Sequence, residues 1–342
     1  MYDFMKNSPL YDVRPMDWAN DDGINLPMIN DFMRNQFYDH VLCNRVKDKN
    51  CLDIGFGTGL LSILALKHRA KSITAYESDN NRYLLGCEII KRLELENKIT
   101  LIHNRYNQND FDKHDCNVIF TETVSGGLWG EGIWNSFPRQ SGRQSGIQFL
   151  PGQYYLDIMS LEIPESFANG LINEVVDDDS IRYFSPGIDI DTKFIECINN
   201  LRNGKNSPDI SLCENGITQL SNINTVWGWQ PPKALAAYNS KSIAKYTVDL
   251  IENTITTTDQ QGTNKAVIDF ALDNIDLSIN TEGFHNKCVL LVPRIGMTHG
   301  NANLVLDTGH WGPVNYPVVL KNIQHSTITL SHHTKTGDLI YT

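Results

Sequence analysis

The rhythm of apolar positions changes near the middle of the chain. Up to about residue 122, short apolar runs take turns with longer stretches of helical spacing. CLDI (51–54), SITAYE (72–77), KITLI (98–102) and NVIFTE (117–122) have the length and β-branched content of buried strands, while GLLSILALKHR (59–69) and NNRYLLGCEIIKRLEL (80–95) repeat as helices. Strand and helix in alternation predict parallel pairing through right-handed crossovers, hence a doubly wound α/β sheet. Ligands of such sheets bind beyond the carboxyl ends of the strands.

Past the polar, Gly-rich stretch SFPRQSGRQSGIQFLPG (136–152) the pattern becomes period-two. YYLDIMSLEI (154–163), KYTVDLIENTI (245–255), KAVIDFALDNIDLSI (265–279), KCVLLVP (287–293), PVVLKNI (317–323) and STITL (326–330) alternate, with turn residues between them. An antiparallel sheet or β-barrel-like domain is expected there. The domains therefore divide as 1–150 and 151–342, with the junction at Leu150-Pro151. FIECINNLRN (194–203) and QPPKALAAYNSKS (230–242) break the strand rhythm and read as a helical or irregular arm at about 195–240.

Composition narrows the function classes. With 342 residues, 41% apolar and 20% charged, the chain suits a globular protein with a sizeable core rather than a disordered one. No apolar run reaches the ~18 residues of a membrane span. The N-terminal MYDFMKNSPLYDVRP does not read as a signal peptide. A net charge of -11 argues against direct binding of nucleic acid, and is compatible with a cationic substrate. Seven scattered cysteines, odd in number and without a C-x-x-C pair, point to reduced thiols, a cytoplasmic location and no metal site.

Two stretches carry chemistry. LDIGFGTGLLS (52–62) is a strand, a G-x-G-x-G turn and a helix start. Gly55, Gly57 and Gly59 allow a tight turn and close approach of a ligand to the backbone, and Asp53 sits just ahead of them. Glu77 ends the next strand about 20 residues on, where a carboxylate accepts both ribose hydroxyls. A nucleotide-type cofactor follows, with NAD the main rival to the S-adenosylmethionine that this glycine pattern resembles. The second stretch is TETVSGGLWGEGIW (121–134), with Glu122 and Glu131 nine positions apart and Gly126, Gly127 and Gly130 between them. Two facing acids repel, and burying either is costly unless a cation lies between them. Taken alone, they read first as solvated glutamates of a surface loop.

Together these stretches resemble the protein arginine methyltransferase family, which is S-adenosylmethionine-dependent. LDIGFGTGLLS resembles its cofactor loop, ITAYES its ribose-binding strand end, and ETVSGGLWGE its double-E loop, whose acids grip a guanidinium. MINDFMRN (28–35) resembles its M-x-x-D-x-x-R helix. By that resemblance Met28 lies near the reactive methyl, Arg34 binds the cofactor's carboxylate, and Asp31 faces a histidine of the far domain. His310 in GHW is the preferred histidine, although the family has Thr where Gly309 stands; His299 in MTHG competes. Tyr106 joins the cofactor set, and Trp129 and Trp311 the substrate pocket, with Trp129 equally readable as core. The resemblance implies methyl transfer to an arginine nitrogen of a protein or peptide, a homodimer formed through the arm, and a cis junction at Leu150-Pro151. Transfer to free arginine or another small guanidino or amine compound, and a non-catalytic scaffold of the same fold, are the alternatives.

Overall fold

The computed structural model describes residues 26–29, 32–107, 113–124, 133–137, 147–161, 192–201, 241–250, 252, 254–259, 261–268, 274–280, 288–299, 302–307, 318–320, 327–333 and 339–341. Five strands, β1 (Asn50–Ile54), β2 (Ser72–Glu77), β3 (Ile99–His103), β4 (Val118–Thr121) and β5 (Gln148–Leu150), form a sheet in the order β3-β2-β1-β4-β5. All its pairings are parallel. β4 is buried along its whole length, as a sheet covered on both faces requires. The order reverses between β1 and β4, and that switch point is where the chemistry gathers.

Four helices described on this half are α1 (Leu26–Ile29), α2 (Phe32–Leu42), α3 (Leu60–Lys67) and α4 (Asn80–Arg92). α3 is apolar almost all round, and Leu60 to Ala65 are all buried. α4 is held at its start by Asp79, whose side chain accepts the Arg82 N–H at 2.9 Å, and it carries Lys91 and Arg92 in its last turn. The continuous M-x-x-D-x-x-R helix expected over 28–34 is described as α1 and α2, with Asn30 and Asp31 outside the described residues. Asn35 ties the two pieces by donating from Nδ2 to the Ile29 carbonyl at 2.7 Å.

Gly59 opens α3 with φ 81, a left-handed conformation, and a Cβ there would lie 2.5 Å from Phe56 Cζ. Backbone strain and overpacking add, so Gly59→Ala is expected to cost about 2–5 kcal/mol of stability in urea unfolding. An unchanged midpoint would contradict this packing.

The second half is antiparallel, as its alternation predicts. β6 (Gln153–Leu161) lies between β11 (Cys288–His299) and β7 (Lys241–Asp249), and the sheet continues through β8 (Thr254–Asp259) and β9 (Thr263–Val267). β12 (Ala302–Asp307) and β13 (Val318–Leu320) also pair with β11. A separate sheet joins β10 (Asn274–Asn280), β14 (Thr327–His333) and β15 (Leu339–Tyr341). Two sequence runs divide in the structure. The run 245–255 is broken because Asp249 Oδ1 accepts the Glu252 N–H at 2.8 Å and turns the chain despite the apolar Leu250 and Ile251. The run 265–279 is likewise two strands, β9 and β10. Strand β12 is absent from the sequence expectation, and Leu339–Tyr341 adds β15.

The peptide bond Leu150-Pro151 is cis. The last parallel strand ends at Leu150, and the antiparallel sheet begins at Gln153. One apolar cluster runs through both halves, joining Tyr38, Leu42 and Trp134 to Tyr154, Leu156 and Ile255. Of the expected arm, α5 (Thr192–Leu201) is described; Phe194, Cys197 and Ile198 are buried and α5 lies against α4. The remainder, 202–240, lies outside the described residues.

Candidate active site

Two clusters of polar residues form at the carboxyl ends of β1, β2 and β4. The first is the glycine loop and its acid. After β1 the chain turns through Gly55 (φ 86) and Gly57 (φ 56), and the Gly55 and Phe56 N–H groups donate to the Tyr76 carbonyl at 3.0 and 2.9 Å. Glu77, the last residue of β2, reaches back so that its Oε2 accepts the Gly57 N–H at 2.8 Å and its Oε1 accepts the Asp79 N–H at 2.8 Å. One carboxylate thereby fixes both the loop and the start of α4. Each of its oxygens retains lone-pair capacity for a ligand hydroxyl.

Asp53 lies beneath this loop, 1% exposed. Its Oδ2 accepts the Ser62 hydroxyl at 2.6 Å, while Oδ1 has no partner among the described residues. Burial raises its pKa to about 7; the Ser62 bond opposes that, nearby Glu77 adds to it, and Arg34 opposes it. The unfolded value is near ~3.9. The folded state thus holds the proton more tightly, and this group's stabilising contribution is full below about pH 4 and lost as pH rises through about 7. Subtracting the Asp53→Asn stability profile from that of the parent should leave a decline on the order of a few kcal/mol across that window. A flat difference would contradict the burial of this carboxyl.

The second cluster centres on Glu122, directly after β4 and 6% exposed. Arg34 of α2, also 6% exposed, donates to Glu122 Oε2 from Nε at 3.0 Å and from Nη2 at 2.8 Å. Arg34 Nη1 also lies 3.5 Å from the Met28 carbonyl and 3.4 Å from Asn35 Oδ1. Its guanidinium lies 5.5 Å from the ring centre of Tyr38, one turn along α2. Tyr38 is fully buried and donates to the Thr121 carbonyl at 3.0 Å; Tyr154, from β6, donates to the Pro151 carbonyl at 3.1 Å. Burial first, and the Glu122 charge second, hold both phenols well above the usual tyrosine range. α2, the end of β4 and the first strand of the other sheet therefore all bring side chains near Glu122.

The structure brings Gly55, Gly57, Gly59, Glu77 and Asp53 together, and separately Arg34, Glu122 and the Met28 carbonyl. Met28 itself is half-buried. Tyr106 packs edge-on against Tyr76, the neighbour of Glu77, at 5.3 Å, in the apolar cluster with Leu52, Ile54 and Ile119. Asp31, Glu131, Trp129, His310 and Trp311 lie outside the described residues. Just after the acid loop, Ile133 and Trp134 are fully buried, and Trp134 meets Phe137 edge-on at 5.4 Å, which anchors that end of the loop. Sequence reasoning missed Tyr38, Ser62 and Tyr154. The four-residue step from Arg34 to Tyr38 on one helical face was a usable signal; Tyr154 had none.

No family model matches the chain. Among curated proteins, it is 37% identical over 114 residues to mouse protein arginine N-methyltransferase 9, a match covering 32% of this chain and 14% of that protein. It is 31% identical over 155 residues to the Xenopus laevis protein of the same name, covering 40% and 19%. Over these stretches the chain is similar in sequence to proteins named protein arginine N-methyltransferases. A rice protein arginine N-methyltransferase 1 matches at 29% over 148 residues, 42% of this chain and 38% of that one. The chain thus spans well under half the length of these curated relatives. The crystal structure of PRMT6 superposes with a TM-score of 0.50 at 13% identity, covering 92% of this chain and 96% of that one, so the likeness in fold extends over both sheets. Among the described residues no helix is long and apolar enough to cross a membrane.

Proposed function

We propose that this chain transfers a methyl group from S-adenosyl-L-methionine to a guanidinium nitrogen of arginine in a protein or peptide. One observation carries the reading: a buried carboxylate, Glu122, already binds a guanidinium through two N–H groups, beside a glycine loop built for a nucleoside. Glu77 is placed to accept ribose hydroxyls, and the unpartnered Asp53 Oδ1 offers a buried acceptor to a ligand donor, so the residues present fit the cofactor. When bound, S-adenosyl-L-methionine would supply an electrophilic methyl carbon on a sulfonium. Met28 and Arg34 would lie at that end of it.

Methyl transfer is a backside displacement, so alignment is the main demand, and positioning can supply about 7–11 kcal/mol. Glu122 accepts charge-assisted hydrogen bonds from the planar substrate cation and fixes its plane. Glu131, with the same chemistry, would accept from the other side. Arginine stays protonated at neutral pH, so a proton leaves with or after transfer. Glu131, or His310 paired with Asp31, would take it. Trp129 and Trp311 would wall the substrate channel. Tyr106, packed on the Tyr76 that precedes Glu77, would join the residues that hold the cofactor.

We assign residues 1–150 to the cofactor domain and 151–342 to the substrate domain, with a homodimer formed through the arm at about 195–240. A cytoplasmic location fits the free state of Cys43, Cys51, Cys87, Cys116 and Cys197. The test is to incubate the protein with S-adenosyl-L-methionine and an Arg-rich peptide, with free arginine in a parallel reaction, and weigh the products. Added methyl mass on the peptide supports the proposal. Methyl on free arginine alone, or on neither, overturns it.

A further inference from the structure

We infer that Thr121 is a positioning residue: it ties the glycine loop to the strand end that carries Glu122, and so sets the distance and angle between the two ligand sites. The inference rests on the proposed function, because it concerns how the two reactants of that transfer are aligned. Thr121 is the last residue of β4 and is fully buried. Its hydroxyl donates to the Ile54 carbonyl of β1 at 2.7 Å, the usual length of an O–H···O bond. That carbonyl belongs to the peptide that opens the glycine loop. The N–H of the same peptide, on Gly55, donates to the Tyr76 carbonyl of β2 at 3.0 Å. One peptide plane is therefore pinned from both sides, by backbone towards β2 and by a side chain towards β4.

The peptide that leads into Glu122 is pinned as well, because Tyr38 of α2 donates to the Thr121 carbonyl at 3.0 Å. Thr123, on the other side of Glu122, repeats the contact with the loop. Its hydroxyl lies 3.2 Å from Thr121 Oγ1. Thr121 has one hydroxyl hydrogen and gives it to Ile54, so Thr123 is the donor of that pair. A Cβ at Gly55 would lie 3.0 Å from the Thr123 methyl, so the loop leaves no room for a side chain there. Both neighbours of Glu122 thus turn to the glycine loop, while Glu122 itself turns to α2. A β-branched hydroxyl is a short and stiff link. Displacement needs its reacting atoms in line, and a misplacement of about 1 Å can cost on the order of 100-fold in rate. Valine has nearly the shape of threonine but no hydrogen to give, and it leaves the Ile54 carbonyl without that donor. The loop and Glu122 would each persist and lose their fixed relation.

The test is the single-turnover rate with S-adenosyl-L-methionine and an Arg-containing peptide both saturating, for the parent, Thr121→Val, Thr121→Ser and Tyr38→Phe. S-adenosylhomocysteine affinity, peptide affinity and melting temperature are recorded for each. Thr121→Val is expected to slow transfer about 10–100-fold while both affinities stay within about threefold of the parent. Thr121→Ser keeps the hydroxyl and is expected to recover most of the lost rate. Tyr38→Phe keeps the ring, loses the bond to the Thr121 carbonyl and is expected to slow transfer in the same way; it decides the matter if Thr121→Val does not fold. Unslowed transfer in the deciding variant overturns the inference. So do affinities that fall in step with the rate, and a Thr121→Ser protein as slow as Thr121→Val. A parent protein that methylates no Arg peptide is a different failure, since it overturns the proposed function and the inference falls with it.

Discussion

Glu122→Gln is expected to remove methyl transfer to an Arg-containing peptide while leaving S-adenosylhomocysteine binding close to that of the parent. Glu122 stands at the end of β4 on the far side of the switch point from Glu77, so the two acids serve different ligands. The amide keeps the shape of the side chain and one acceptor but loses the charge that holds a guanidinium, and losing a positioned charged group of this kind costs on the order of 10²–10³ in rate. The substitution also leaves the buried Arg34 without its counter-charge. Breaking one side of a buried pair costs about 3–5 kcal/mol, so a fall in melting temperature should accompany the loss of activity. Stability and cofactor affinity are therefore measured beside the rate. Full activity, or a loss of cofactor binding in step with the rate, would contradict the role given to this carboxylate.

Glu77→Ala is expected to act on the other ligand. Glu77 Oε1 and Oε2 fix the Asp79 and Gly57 N–H groups, so its removal frees the glycine loop and the start of α4 at once, as well as the acceptors for a ribose. Two charge-assisted hydrogen bonds to a ligand at about 1.5–3 kcal/mol each correspond to a loss of at least about 100-fold in S-adenosylhomocysteine affinity by calorimetry. Peptide affinity measured without cofactor should change little. Undiminished cofactor affinity would mean that the nucleoside lies elsewhere.

How much of this was legible in the sequence depends on the range of the interactions. Local signals were enough for β2, whose bounds Ser72–Glu77 match its apolar run, and for the glycine turn, whose positive φ values only glycine adopts freely. Alternation was enough to expect an antiparallel second half, but not to divide it. The turn after β7 depends on one Asp249 side chain binding the backbone, and apolar residues around it hid the break. β12 was missed because ANLVLD is short and follows a longer run. At the site, the spacing of Glu122 and Glu131 suggested a place for a cation. It could not indicate that the cation beside Glu122 is Arg34, 88 positions away, nor that Tyr154 of the other sheet lies near enough to feel the Glu122 charge. Contacts of that range arise from how the sheet switch point meets the second half, and no single-sequence periodicity records them.

The central claim is that the Glu122 pocket recognises a planar, forked cation rather than any positive charge. Two peptides identical except for Arg or Lys at one position, offered together with labelled S-adenosyl-L-methionine, test it most directly. The account predicts label on the Arg peptide and none above background on its Lys counterpart. Equal labelling of the two, or preference for Lys, would contradict it.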